Sequence, residues 1–127
     1  MTVALDTNRL TDLFGGDAQL AGFLSRCDAV WIPLVVLGEI LAGFYAGSQR
    51  RRNEGLLNEL LAKPTVSVLL PDSETAEYYA QVWFQLRRNG TMIPDNDLWI
   101  AALALQHNLV LITRDSHFDP IPQLMRG

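Results

Sequence analysis

The sequence is poor in the residues that mark secreted or membrane proteins. Only one of its 127 residues is a cysteine, Cys27, so no internal disulfide can form and no second thiol is present for a zinc site. No apolar run reaches the length that spans a bilayer, and the first residues do not have the pattern of a signal peptide. We therefore expect a cytoplasmic protein in which Cys27 is a small, buried, apolar residue.

Positive charge is also scarce. The formal net charge is −4 and Lys63 is the only lysine, whereas a passive nucleic-acid-binding module normally carries an excess of Lys and Arg. An acidic protein that acts on nucleic acid would need metal ions and a local basic patch. The 49% hydrophobic content excludes a disordered chain, and the length predicts a single domain over residues 1–127.

Short apolar runs alternate with helical patterns along the chain. The runs predict four strands, at residues 2–5, 29–32, 66–70 and 109–112. The helical spacing predicts two short helices before the second strand and longer ones at 34–45, 49–61, 72–89 and 95–106. Because no hairpin signal, repeat or linker is present, we expect an α/β fold with a mainly parallel central sheet flanked by helices.

Four acidic residues lie where such a sheet would bring them together. Asp6 directly follows the first strand and Asp115 closely follows the last. Asp97 opens the helix that leads into the last strand, and Glu39 lies early in the helix after the second. Since ligands bind beyond the carboxyl ends of parallel strands, we expect these four side chains to converge at one edge of the sheet.

Each acid also has a purely structural interpretation. Asp6 could cap a helix, Asp97 could compensate a helix dipole, and Asp115 could be a turn residue. Glu39 is hardest to explain in this way, because it stands within the apolar segment Leu34–Leu41. A carboxylate in apolar surroundings requires a cation, a hydrogen-bond network or a metal, so Glu39 favours a functional cluster.

Clustered carboxylates repel one another unless a cation lies between them. Mg²⁺ and Mn²⁺ prefer hard oxygen ligands and would relieve this repulsion. A metal held in this way lowers the pKa of a bound water and offsets charge that develops on a phosphate. The acidic cluster therefore predicts phosphodiester hydrolysis.

The order of several motifs resembles that of the PIN-domain ribonucleases, in particular the VapC-type toxins. These motifs are Leu5–Asn8, Glu39, Asp95–Ala102, Leu111–Phe118 and the closing Ile121–Leu124. The resemblance implies a PIN-like fold, a Mg²⁺ or Mn²⁺ cofactor and endonucleolytic cleavage of RNA. It also implies a cognate VapB-like antitoxin and a homodimer.

By motif position, the resemblance assigns the catalytic and metal-binding roles. The family's acidic quartet corresponds to Asp6, Glu39, Asp97 and Asp115. Four neighbours would hold waters or support these acids, namely Thr7, Asn8, Asp95 and Thr113. We further expect the antitoxin to insert a basic side chain near the acidic pocket, where it would compete with the metal.

The basic residues and histidines give weaker predictions. Arg114, beside Asp115, is the first candidate to reach a substrate phosphate. Arg50 and Arg51, with the arginine that follows them, either contact RNA phosphates or an antitoxin, or form a solvated helix start. The two histidines, at positions 107 and 117, have no adjacent nucleophile and are expected to have surface roles.

Three other functions compete with the ribonuclease. A phosphohydrolase of the haloacid dehalogenase type would need a second Asp where this chain has Asn8, and a receiver domain would need a Lys after a late strand. A non-catalytic interaction module with the same fold remains an alternative that only an activity measurement separates.

Overall fold

The central feature of the fold is one parallel sheet of four strands. The computed structural model describes all residues from 1 to 127. The strands are β1 (Thr2–Leu5), β2 (Ala29–Pro33), β3 (Val66–Leu69) and β4 (Val110–Ile112). They are ordered β3-β2-β1-β4, and every neighbouring pair is parallel. This confirms the predicted α/β class, and each strand bound differs from the prediction by no more than one residue.

Six helices connect and cover the strands. They are α1 (Thr7–Phe14), α2 (Ala18–Ser25), α3 (Leu34–Ala46), α4 (Arg50–Leu61), α5 (Ser73–Asn89) and α6 (Asp95–Gln106). Side chains of aspartates cap the first amides of three of them. Asp6 caps α1, Asp17 caps α2, and Asp72 forms a capping box with Thr75 at the start of α5.

The hydrophobic core takes buried residues from all four strands and all six helices. Residues Val3–Leu5 of β1 are almost wholly inaccessible, since this strand is central and covered on both faces. Residues Ile100–Ala104 of α6 are equally inaccessible, as its all-round apolar pattern predicts. Cys27 is buried and unpaired, as expected. No helix combines the length and the apolar character that crossing a membrane requires.

The last residues of the chain run along the outer edge of β4. The Leu111 amide donates to the Met125 carbonyl at 2.8 Å, and the Gly127 amide donates to the Leu111 carbonyl at 3.0 Å. The pairing is parallel, so the tail acts as a short extra strand. The sequence pattern did not predict this contact, because a single bridging residue leaves no periodicity.

Two glycines provide a test of the helix boundaries. Gly90 ends α5 in the left-handed conformation, with φ 66°, and Gly55 lies within α4. A Cβ at either position would meet no atom within 4 Å, so only backbone preference decides the effect. We expect Gly90→Ala to lower the free energy of unfolding by about 1 kcal/mol, and Gly55→Ala to raise it by about 0.5–1 kcal/mol. Urea denaturation measures both, and two changes of the same sign would contradict the boundaries.

Candidate active site

Asp6 is the most constrained acid of the site. It follows β1 directly and its residue surface is only 3% exposed. Its Oδ1 accepts a hydrogen bond from the Arg9 amide at 2.9 Å, and its Oδ2 accepts one from the hydroxyl of Thr113, just after β4. Because β1 and β4 are paired neighbours, the sheet itself fixes the orientation of this carboxylate.

Glu39 reaches the same edge of the sheet from α3. It is half-buried, and both carboxylate oxygens have partners. The Thr7 hydroxyl donates to Oε1 at 2.8 Å, and the Asn96 amide donates to Oε2 at 2.9 Å. These contacts are the hydrogen-bond network that its apolar surroundings required, and they connect the starts of α1 and α6 to α3.

Asp97 and Asp115 both lie close to the imidazole of His117. His117 Nδ1 lies 2.9 Å from Asp97 Oδ2 and 3.3 Å from Asp115 Oδ2. Asp115 also caps a 3₁₀ turn, Ser116–Phe118, by accepting the His117 amide at 2.9 Å. A surface role was expected for His117, and its side chain is 51% exposed, but its Nδ1 faces two acids of the cavity. The two-residue spacing between Asp115 and His117 was the only signal in the sequence for the contact between these two residues.

The four predicted acids line one small cavity of about 240 Å³. Its lining contains no hydrophobic side chain other than proline, so the cavity is suited to ions and water. The lining residues are Asp6, Thr7, Asn8, Glu39, Pro94, Asn96, Asp97, Asp115 and His117. The acids thus converge at the carboxyl ends of the strands, where a parallel sheet is expected to bind its ligand.

Burial makes negative charge unfavourable in this cavity. Burial raises the pKa of Asp6, and the hydrogen bond from Thr113 only partly opposes this effect. Burial also raises the pKa of Asp97, against the hydrogen bond from His117, and the charges of Asp115 and Glu39 raise it further. A bound cation would favour the charged form of both acids, so the cavity has the electrostatics of a metal site.

The PIN-domain family model matches residues 3–124, which is almost the whole chain. The chain belongs to the PIN-domain family. Its relatives include Ribonuclease VapC1 of Haemophilus influenzae strain R2866, which is 32% identical over 91% of this chain and 87% of that protein. Ribonuclease VapC5 of Mycobacterium tuberculosis is 31% identical over 72% of this chain and 67% of that protein. Within the family, this PIN domain is therefore of the VapC type.

Solved structures agree with this assignment. VapBC-1 from nontypeable Haemophilus influenzae superposes with a TM-score of 0.87 at 27% identity, covering 100% of this chain and 97% of the other. VapBC2 from Rickettsia felis, bound to a DNA fragment from its promoter, gives a TM-score of 0.89 at 24% identity, with 100% and 98% covered. The second likeness supports the fold alone.

Two of the four predicted supporting residues of this PIN domain, Thr7 and Asn8, line the cavity, whereas Thr113 and Asp95 do not. Thr7 and Thr113 contact acids directly, whereas the Asp95 carboxylate accepts from the hydroxyl of Tyr79. Residues two apart on a helix point to nearly opposite sides, so Asp95 cannot face the cavity together with Asp97. Asn96 takes its place, a contact that the sequence analysis missed.

The predicted substrate-binding arginines are mostly paired with acids. Arg114 forms a double hydrogen bond to Asp12, at 2.9 and 3.1 Å, and does not line the acidic cavity. Arg50 pairs with Glu54 at 2.7 Å and lies over the Tyr45 ring. Arg51 is exposed and makes no hydrogen bond or ion pair. None of these three predictions gains support from the structure.

The next arginine along α4 lies in a groove that adjoins the acidic cavity. Arg52 lines a groove of about 420 Å³ that shares Thr7 and Glu39 with the acidic cavity, and we call this the side groove. It donates to the Phe14 carbonyl at 3.4 Å and to Asn53 at 3.2 Å, and it has no acidic partner. Arg52 is therefore the cation placed to meet an anion that extends from the cavity.

The raised pKa of Asp6 predicts a stability effect with a definite sign. A buried acid with a raised pKa destabilises the metal-free fold at neutral pH, and this loss disappears as the pH falls toward its unfolded value of about 3.9. We expect Asp6→Asn, which keeps an oxygen acceptor for the Arg9 amide, to raise the thermal midpoint at pH 7. The gain should shrink as the pH is lowered toward 4.

Asp12 provides the control of opposite sign. Its ion pair with Arg114 lowers the pKa of Asp12, so its charge stabilises the fold above the unfolded pKa, and this contribution is lost at lower pH. Asp12→Asn should therefore lower the thermal midpoint at pH 7. Thermal unfolding of both variants in EDTA makes the comparison, and a lower midpoint for Asp6→Asn would contradict the electrostatic description of the cavity.

Proposed function

We propose that this chain is a metal-dependent endoribonuclease that acts as the toxin of a toxin–antitoxin pair. The observation that carries the proposal is the convergence of Asp6, Glu39, Asp97 and Asp115 in one cavity of a VapC-type PIN domain. Relatives at 31–32% identity are ribonucleases by name. An acidic cavity at the end of a parallel sheet is a site where a divalent cation and a phosphodiester can meet.

The donor set fits Mg²⁺ or Mn²⁺. The four acids present carboxylate oxygens, which are the ligands that both ions prefer. The pKa values of Asp6 and Asp97 are raised, so a cation in the cavity would relieve a cost that the fold otherwise carries. When bound, the ion would lower the pKa of a water and offset negative charge on the phosphate.

The remaining residues of the cavity keep the acids in place. Thr113 and the Arg9 amide orient Asp6, while Thr7 and Asn96 orient Glu39. Each of these donors limits the rotation of its acid. Such fixed geometry is what hydrolysis requires, since a displaced ligand or water lowers the rate steeply.

RNA is the substrate that the surroundings of the cavity favour. The protein is acidic overall, so a local cation has to compensate for repulsion of the phosphate backbone. Arg52 occupies the side groove that continues from Glu39, where it can bind the phosphate next to the one being cleaved. The side groove thus gives a direction for the RNA strand, from the acidic cavity toward α4.

The partner we propose is an antitoxin of the VapB type. Similar chains were solved as VapBC assemblies from Haemophilus influenzae and, as VapBC-5, from Mycobacterium tuberculosis. The acidic cavity would attract a basic side chain of such a partner, which would compete with the metal for the same carboxylates. We also propose that the chain forms a homodimer.

Cleavage of RNA tests the proposal. Purified protein is incubated with single-stranded and structured RNAs in Mg²⁺ or Mn²⁺, with and without EDTA. We expect cleavage only with metal, and a loss of at least about 100-fold in Asp6→Asn and Asp97→Asn, because each removes a charge that holds the cation. Asp119→Asn, whose carboxylate pairs with Arg126 outside the cavity, is the control that should retain activity.

The results distinguish the enzyme from a binding module. Cleavage that survives EDTA and both variants would contradict the metal mechanism. A wild-type protein that binds RNA or an antitoxin but cleaves nothing in either metal would favour the non-catalytic interaction module. Circular dichroism shows that each variant is folded before its activity is compared.

The side groove makes a separate prediction about binding. We expect Arg52→Gln to weaken binding of a 2′-O-methyl RNA, which resists cleavage, by about tenfold, and to reduce the salt dependence by roughly one phosphate contact. Arg51→Gln removes a neighbouring exposed charge outside the groove and should change binding much less. Fluorescence anisotropy over a series of salt concentrations measures both. Equal losses in the two variants would mean that only overall charge matters.

A further inference from the structure

The imidazole of His117 lines the acidic cavity, with Nδ1 close to two of its carboxylates. We propose that His117 binds the divalent cation through Nδ1, together with Asp97 and Asp115, and that this nitrogen donor makes the site prefer Mn²⁺ to Mg²⁺. The inference rests on the proposed function, since it concerns the same cation. It adds a ligand of different chemistry to the four carboxylates that the sequence motifs assign.

The spacing of the three groups supports this role. One ligand atom from each of Asp97, Asp115 and His117 lies within 4.8 Å of the other two. The Nδ1 atom is 2.9 Å and 3.3 Å from the nearest oxygens of the two acids. Adjacent ligands of an octahedral ion with bonds of about 2.1 Å are about 3 Å apart, so these spacings suit neighbouring ligand positions.

A hydrogen bond alone explains this arrangement less well. Nδ1 carries at most one hydrogen, yet it faces carboxylate oxygens of two different residues. One N–H cannot satisfy both at good geometry, whereas one cation between the three groups contacts all of them. The ring is half-exposed and Nε2 makes no hydrogen bond within the protein, so the tautomer that carries its hydrogen on Nε2, where it can donate to water, leaves Nδ1 free to bind metal.

The local backbone also fixes the ring near the acids. The His117 amide donates to Asp115 Oδ1, which leaves Oδ2 of the same carboxylate directed toward Nδ1. The next residue, Phe118, is fully buried and anchors the 3₁₀ turn in the core. The two ligand side chains are therefore held together by the turn itself, before any ion binds.

A nitrogen ligand has a consequence for metal choice. Mg²⁺ strongly favours oxygen ligands and retains its waters, whereas first-row transition ions accept imidazole nitrogen more readily. Replacing one water or carboxylate oxygen by Nδ1 should therefore weaken the binding of Mg²⁺ more than the binding of Mn²⁺. The site would still accept either ion, but with unequal affinity.

The sequence makes a direct test possible, because it contains only two histidines. His107 follows α6, is exposed and does not line the cavity, so His107→Asn leaves His117 as the single imidazole. In the Mn²⁺-loaded His107→Asn protein, electron spin echo spectroscopy should show the nitrogen coupling of a directly bound imidazole. The coupling should disappear in His117→Asn, whose amide keeps a polar group at similar reach.

Metal affinities provide the second readout. Titration calorimetry of the wild-type protein and the two variants gives dissociation constants for Mn²⁺ and Mg²⁺ separately. We expect His117→Asn to weaken Mn²⁺ binding about tenfold and Mg²⁺ binding at most two- to threefold, while His107→Asn changes neither. The ratio of the two affinities thus reports the nitrogen ligand without reference to catalysis.

The outcomes separate this inference from the proposed function. Metal binding without a nitrogen coupling, or with an unchanged affinity ratio in His117→Asn, would overturn the ligand role while leaving the carboxylate site intact. If neither ion bound to the wild-type protein, both the ligand role of His117 and the proposed function would be overturned. The Asp97→Asn variant provides the reference signal of a protein that does not bind the ion. A coupling that is lost only in His117→Asn supports the ligand role.

Discussion

The structure depends on the placement of several carboxylates, two of them buried, in one small cavity. A parallel sheet directs the residues that follow β1 and β4 to one edge, and α3 and α6 add two more acids there. Their mutual repulsion and desolvation would oppose folding if nothing compensated. Thr113, Thr7, Asn96 and the Arg9 amide provide that compensation in part, and each lies at the start of an element or just after a strand.

The compensation is incomplete, and this is consistent with a site built for a cation. Every buried side-chain nitrogen and oxygen has a hydrogen-bond partner, so the polar geometry is satisfied. The negative charges are not fully compensated, because the pKa values of Asp6 and Asp97 remain raised. A fold selected for stability alone would replace such acids with neutral residues. Their retention is the usual cost of a binding site.

Regular patterns in the sequence predicted the fold well. Apolar runs and helical spacing located all strands and helices, because burial on both faces of a parallel sheet leaves a continuous signature. The convergence of Asp6, Glu39, Asp97 and Asp115 followed from topology. Their catalytic roles stay a prediction.

The errors concern side-chain direction and pairing. The sequence analysis placed Asp95 beside the site, although helix geometry turns it toward Tyr79. It missed the contacts of Asn96 with Glu39 and of His117 with Asp97, because these residues are 57 and 20 positions apart and leave no local pattern. It favoured Arg114 on proximity in sequence, but Asp12, about a hundred positions earlier, pairs with it. Long-range partners of this kind cannot be deduced from spacing alone.

The tail that lies along β4 bears on how the molecule meets other molecules. By donating to and accepting from Leu111, it occupies backbone groups that an exposed sheet edge would offer to a foreign strand. The edge of the sheet nearest Asp115 is thereby closed to strand addition, and β3 forms the opposite edge. Uncontrolled sheet extension, a common route to aggregation, is blocked beside the acidic cavity, so an assembly on that side has to engage helices and side chains.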